Sequence, residues 1–85
     1  MKQFHFEIVT TEGVAFDGAV DKLILDTVEG PVCIMAGHID YFAKAKQGEV
    51  RLVCDGKERR GVCHGGVMSV KGGSVSLVTV KFEWK

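Results

Sequence analysis

Only one local pair in this chain has the residue types for nucleophilic chemistry, Cys63 followed directly by His64. A thiol becomes a nucleophile when a base lies within hydrogen-bond reach and a third group orients that base. In an extended segment, adjacent side chains project to opposite faces, so Cys63 and His64 are expected to diverge. The expectation is therefore a core-facing Cys63 and a strand-end His64. Three cysteines (Cys33, Cys54, Cys63) and three histidines lack Cys-x-x-Cys or His-x-x-x-His spacing, so no metal site is expected. The paired glycines Gly65-Gly66 and Gly72-Gly73 precede no helical pattern and read as turns rather than a phosphate cradle. No cofactor and no small-molecule ligand are expected.

Nucleic-acid binding would need aromatic platforms interleaved with positive charge on one face. The one basic cluster, Lys57, Arg59 and Arg60, is offset by Asp55 and Glu58, while Phe4, Phe6 and Phe16 lack basic neighbours. Lys plus Arg number 11 and Asp plus Glu 11, giving zero formal net charge and no field that draws in polyanions. A neutral protein gains little solubility from charge, which suits one held in an assembly. The remaining feature is Ala36-Gly37-His38-Ile39-Asp40-Tyr41, where a glycine permits a tight backbone and leaves three large side chains to project. It reads either as a turn with partly buried rings or as a contact surface.

The elements that hold these residues are strands. Phe4, Phe6 and Ile8 alternate with polar neighbours, Thr10 to Gly13 breaks the run, and Val14 to Phe16 resumes it before an Asp17-Gly18 turn. Val20 to Leu25 and Val32 to Ala36 follow, with Pro31 suited to a strand start or an edge. A short strand from Ile39 is expected to end at Gln47-Gly48. Val50 to Cys54 then leads into Asp55-Gly56, a strong hairpin signal. A two-residue loop there sets Arg51 against Arg60, so a three-residue loop pairing Val50 with Val62 and Val53 with Arg59 is preferred. Neither register pairs Cys54 with Cys63 for a disulfide. Gly61 reads as a bulge marker, Val67 to Val70 as a short strand, and Val75 to Trp84 as one continuous last strand.

The 85 residues with 46% hydrophobic content make one domain, residues 1–85, with a workable but thin core. The fold class is all-β, a flattened ten-stranded antiparallel sandwich or barrel. The longest uncharged runs, such as Gly30 to Ile39, are ten residues, too short for a membrane span. An odd cysteine count and no apolar leader point to free thiols in the cytoplasm.

Taken in order, the turn and strand segments resemble the N-terminal β-sandwich domain of the epsilon subunit of F-type ATP synthases. The resemblance is carried by Ile8-Val9-Thr10-Thr11-Glu12-Gly13, Val14-Ala15-Phe16-Asp17-Gly18-Ala19-Val20 and Glu29-Gly30. It continues through Ile34-Met35-Ala36-Gly37-His38, Lys46-Gln47-Gly48-Glu49-Val50-Arg51, Gly65-Gly66-Val67-Met68-Ser69-Val70 and Val75-Ser76-Leu77-Val78. It implies a non-catalytic rotor part of the central stalk that binds the gamma subunit and the membrane c-ring without entering the membrane. That places it peripherally on the inner face of the plasma membrane. Val28, Glu29, Gly30 and Pro31 match the ring-facing loop, and Gly37, His38, Ile39, Asp40 and Tyr41 match a loop near gamma and the ring.

The departures are Thr11, Asp26, Ala36 and Gln47 where the family carries prolines, Pro31 in place of an acidic residue, and His64 in place of a serine. The family's regulatory helical hairpin would follow the sandwich, whereas this sequence runs Val80-Lys81-Phe82-Glu83-Trp84-Lys85, so that role is not expected of these residues. Two alternatives stay open: a free-standing binding module that kept the fold, and an enzyme using Cys63 and His64.

Overall fold

A computed structural model of the chain describes residues 2–85. Nine strands are described and no helix: β1 (Phe4–Thr10), β2 (Gly13–Val20), β3 (Lys22–Thr27), β4 (Gly30–Met35), β5 (Tyr41–Cys54), β6 (Lys57–Cys63), β7 (Gly66–Lys71), β8 (Ser74–Val78) and β9 (Phe82–Trp84). They run in the order β2-β1-β8-β7-β5-β3-β4, with β6 pairing β5 and β9. The all-β sandwich stands, with two differences in detail. The described strands number nine rather than ten, and β1 pairs β8 in parallel while the other pairings are antiparallel.

β5 makes the two layers. It is a single 14-residue strand, not two strands parted at Gln47-Gly48. Its first part, Tyr41 to Ala45, pairs β7, while Gly48 to Cys54 pairs β6 and Val50 to Val53 pairs β3. The ladder with β3 shifts register between Leu25 and Thr27, where Ala45 and Val50 become successive partners. A glycine within a strand permits such a bend without ending it. One layer therefore holds β2, β1, β8, β7 and the start of β5, and the other holds β4, β3, the end of β5, β6 and β9.

Alternation along each strand sends one set of side chains between the layers. Phe6, Ile8, Met68 and Leu77 enter from the first layer and Leu23, Leu25, Val50 and Leu52 from the second, all fully buried or nearly so. Every buried side-chain nitrogen and oxygen among the described residues has a hydrogen-bond partner. The body measures 30 × 24 × 21 Å, in keeping with two sheets about 10 Å apart plus their outward side chains.

Four expectations are corrected. Asp17-Gly18 lies inside β2, with Asp17 opposite Glu7 and its carboxylate 2.6 Å from His5 Nε2. The chain turns instead at Asp21, whose amide donates to Val53 O at 2.7 Å and whose carboxylate accepts the Asp55 amide at 3.0 Å. The β5–β6 hairpin uses the two-residue Asp55-Gly56 loop, with Val50 opposite Gly61 and Arg51 opposite Arg60. Asp55 at φ 53° and Gly56 at φ 79° both take the left-handed conformation that such a turn needs. Glu58 relieves the arginine pair, lying 3.6 Å from Arg51 Nη1 and 2.9 Å from Arg60 Nε.

Gly61 is not a bulge, since its pairing to β5 is regular. A Cβ there would run into the Phe82 ring and would lie 2.9 Å from Glu83 O, so the glycine is a seat for Phe82. Last, Val75 to Trp84 is not one strand. β8 stops at Val78, buried Thr79 donates to Lys81 O at 3.2 Å across the break, and β9 crosses to pair β6. There Trp84 lies under the Arg59 guanidinium, 3.8 Å from the ring centroid, and meets Phe16 edge-on at 6.0 Å.

Candidate functional site

The Cys63 and His64 side chains separate as strand geometry demands. Cys63 is 1% exposed, and its thiol donates to Lys46 O at 3.5 Å. His64 turns outward, with Nε2 3.7 Å from Glu83 Oε1. Burial pushes the Cys63 thiol above its ordinary range, the reverse of what an activated nucleophile needs. All three cysteines are free thiols. Among the described residues, no three His, Cys, Asp or Glu side chains gather to hold a metal ion.

These thiols carry a prediction. Alkylation at neutral pH is expected to modify exposed Cys33 readily and to reach Cys63 only through unfolding. A pKa raised in the fold means that the unfolded thiol ionises first. The Cys63 contribution is therefore intact below about pH 8 and declines from about pH 8.5 upward. Denaturation midpoints measured across this range should fall less steeply in Cys63→Ala than in the parent. Equal slopes, or fast Cys63 labelling of the native protein, would contradict the burial.

What projects from the body are two backbone-held loops at the ends of β4. The β3–β4 turn is tied by buried Thr27, whose hydroxyl donates to Gly30 O at 2.8 Å and accepts the Glu29 amide at 3.1 Å. The Val28 amide donates to Lys44 O at 3.0 Å, and the Val28 side chain stands out into solvent. Pro31 lies opposite Asp26 on β4, the terminal strand of its layer, where a missing amide hydrogen is tolerated.

The second loop, Ala36 to Asp40, joins β4 to β5. Gly37 takes φ 85°, and the His38 amide donates to Met35 O at 3.1 Å. His38 Nδ1 lies 2.7 Å from Ile39 O, so Nδ1 carries the proton and donates. The His38 ring meets Tyr41 edge-on at 5.9 Å. Asp40 Oδ1 accepts the Gly72 amide at 3.1 Å, pinning this loop to the β7–β8 turn. With its polar groups so engaged, the loop offers Ile39, which is 78% exposed. β4 holds the two loops about 17 Å apart, five steps of about 3.3 Å.

Sequence reasoning missed the outer faces, which the strand register creates. On the first layer, Lys44, Val67, Val78, Val9 and Val14 sit side by side on five successive strands, β5, β7, β8, β1 and β2. On the second, Glu49, Arg51, Glu58 and Arg60 form a chain of ion pairs, extended by Lys85 Nζ at 2.9 Å from Glu49. Lys85 holds the Glu49 carboxyl below its usual range, and Glu58 holds the Arg60 guanidinium above its own. All of these groups are solvated, so they add little stability. The available signal was the valine at an outward position of each strand, which is legible only once the strands are placed side by side.

A packed two-layer body of nine described strands, with two backbone-held loops and one apolar outer row, defines an all-β sandwich domain. The chain belongs to the family described as "ATP synthase, Delta/Epsilon chain, beta-sandwich domain", matched over residues 3–85. It is 31% identical over 84 residues to the ATP synthase epsilon chain of Caldicellulosiruptor bescii, covering 99% of this chain and 61% of that protein. It is 32% identical over 85 residues to the epsilon chain of Ruminococcus albus, covering 99% and 63%. The chain thus spans about three-fifths of the length of these curated relatives.

Two solved structures share the fold. A chain of the Euglena gracilis mitochondrial ATP synthase OSCP/F1/c-ring structure superposes with TM-score 0.91 at 22% identity, covering 96% of this chain and 53% of that one. A chain of the Tetrahymena thermophila mitochondrial ATP synthase central stalk/c-ring structure does so with TM-score 0.80 at 12% identity, covering 95% and 66%.

Proposed function

We propose that this domain is a rotor part of the central stalk of an F-type ATP synthase, seated between the gamma subunit and the c-ring and turning with both. The observation that carries this reading is the alignment of epsilon-chain relatives along 99% of this chain, loops included. The domain transmits torque during ion-driven ATP synthesis and performs no chemistry of its own. Val28, Glu29, Gly30 and Pro31 meet the ring. Gly37, His38, Ile39, Asp40 and Tyr41 meet gamma and the ring. The site of action is the inner face of the plasma membrane, reached through the complex rather than by insertion.

Torque transmission needs a body that does not shear and a grip that does not slip. The close-packed core supplies the first, because interiors at crystal-like density deform little. The tied loops supply the second: each presents an apolar tip, Val28 or Ile39, on a backbone whose conformation is set before contact. The test is co-purification of the domain with gamma and c subunits of the same organism. Retention on a gamma–ring complex is expected, and its absence would overturn the reading.

A further inference from the structure

Among the described residues, β2, β4 and β9 pair on one side only. Such edges invite another strand unless a bulge, a charge or a short length blunts them. β2 carries the bulge opposite Ile8 and Val9 and the charge of Asp17. β9 has three residues, with Glu83 inside it and Lys81 and Lys85 on either side. β4 has neither defence: Gly30 to Met35 is uncharged and pairs regularly with β3.

The hairpin fixes which β4 groups face the open edge. The two-residue Val28-Glu29 turn closes on the Thr27–Gly30 pair, which exchanges both backbone hydrogen bonds. Counting by two, Val32 and Ile34 also direct their amides and carbonyls to β3, and Pro31, Cys33 and Met35 direct theirs away. The Met35 carbonyl bears out this phase, because it accepts the His38 amide at 3.1 Å rather than a β3 amide.

Pro31 would normally spoil this edge, since a strand laid against it meets no amide hydrogen there. One occupant avoids the defect. A second copy running antiparallel and centred on Cys33 sets Cys33 opposite Cys33 and Pro31 opposite Met35. The two Cys33 residues then exchange amide and carbonyl bonds, and each Met35 amide donates to the other copy's Pro31 carbonyl. The Met35 carbonyl, left facing the proline nitrogen, is already satisfied by His38. Centring on Val32 instead would leave the Cys33 carbonyl against the proline nitrogen, and centring on Ile34 would aim the Cys33 amide at the engaged Met35 carbonyl. Zero formal net charge removes long-range repulsion between copies.

We infer that free copies of the chain pair through their β4 edges, antiparallel about Cys33, into a resting dimer that shields the two loops at the ends of β4. In this register Glu29 comes beside the second copy's Gly37, so each copy's Val28–Pro31 loop lies against the other's Gly37–Tyr41 loop. The exposed Val28 and Ile39 tips are thereby held near the join. The pairing stands on the edge geometry alone, and the shielding role rests on the rotor reading, in which the same loops meet gamma and the ring.

The experiment is sedimentation velocity of the intact chain under reducing conditions across a wide range of concentrations. A monomer–dimer equilibrium is expected. Cys33→Glu, at an exposed position, should unfold at the same temperature as the parent, yet it sets two carboxylates face to face and weakens dimerisation at least about 10-fold. The register is read by oxidation with diamide, in which two thiols lose their hydrogens to form a disulfide and diamide is reduced to its hydrazine. Opposed Cys33 residues have Cα atoms about 5.5 Å apart, within disulfide reach, so a linked dimer should form rapidly and be absent in Cys33→Ser. In Cys33→Ser with Met35→Cys the new thiols are about 13 Å apart, four strand steps, and should link far more slowly. A chain that stays monomeric at every concentration, or a Cys33→Glu variant that dimerises as tightly as the parent, overturns the pairing. Equal linking at positions 33 and 35 overturns the register. These measurements need neither gamma nor ring, so their failure leaves the rotor reading in place. A dimer that forms while the chain is not retained on a gamma–ring complex keeps the pairing and removes its shielding role.

Discussion

Replacing Gly66 by alanine is expected to destabilise the domain by about 4 kcal/mol, enough to lower its melting temperature by about 20 °C in a chain of this size. Two costs add. Gly66 sits at φ 130°, a backbone region that side-chain-bearing residues rarely enter, worth about 1–3 kcal/mol. A Cβ at that position would also strike the Val78 carbonyl oxygen and lie 2.9 Å from Thr79 Cα and 3.0 Å from Val78 C. These are backbone atoms of the neighbouring strand end, not a side chain that can swing away, so overpacking adds about 1–3 kcal/mol. Gly65 is the useful control: it too has positive φ, 79°, but a Cβ there would meet nothing closer than Ala45 O at 3.9 Å. Gly65→Ala is therefore expected to lose only the backbone part, about 1–2 kcal/mol. Equal melting temperatures for the two variants would show that the close approach of β7 to the β8 end does not exist as described.

The second large effect is expected at Phe6. Its side chain is fully buried, enters the core from the middle of β1, and has the Phe16 ring 5.9 Å away. Phe6→Ala should cost about 3–5 kcal/mol, the sum of lost transfer energy and the cavity left behind. A small domain with total stability near the lower end of about 5–15 kcal/mol would then be close to unfolded at 37 °C. Phe42 gives the contrast. It lies on β5 with its side chain outward and 69% exposed, so Phe42→Ala is expected to change stability by less than about 0.5 kcal/mol. Urea denaturation of both variants distinguishes them. A mild Phe6→Ala, or a damaging Phe42→Ala, would mean that the two faces of the first layer are assigned the wrong way round.

How far these results were legible beforehand differs residue by residue. Alternation identified Phe4, Phe6 and Ile8 as one face of a strand because side chains on a strand have period two, a property of the chain itself. The same local logic found the Thr10–Gly13 break, the Asp55-Gly56 hairpin, the divergence of Cys63 from His64, and the loop around Gly37. The chain order of turn glycines and strand segments was also specific enough to point to the family, which the match over residues 3–85 bears out.

The errors share a different character. Facing arginines look repulsive when only the pair is considered, yet Arg51 and Arg60 lie opposite each other in the β5–β6 register. Glu58, placed between them by the sheet, reverses the balance. Gln47-Gly48 looked like an end because a glycine may break a strand or bend it, and β5 continues there because β6 and β7 supply its partners. Gly61 looked like a bulge, although its reason lies 21 residues away in the Phe82 ring.

What the sequence settled by itself, then, was an all-β chain, the inward set of a strand as regular as β1, most of the turns, and the family. Which side chains would stand next to one another across strands was decided only by the tertiary structure. Val67, Val78, Val9 and Val14 come from four separate segments, and no local rule relates them. They become a single surface because a parallel pairing lays β1 against β8. The lateral order of strands depends on long-range hydrogen bonding and core closure, and the order of residues along the chain does not carry it.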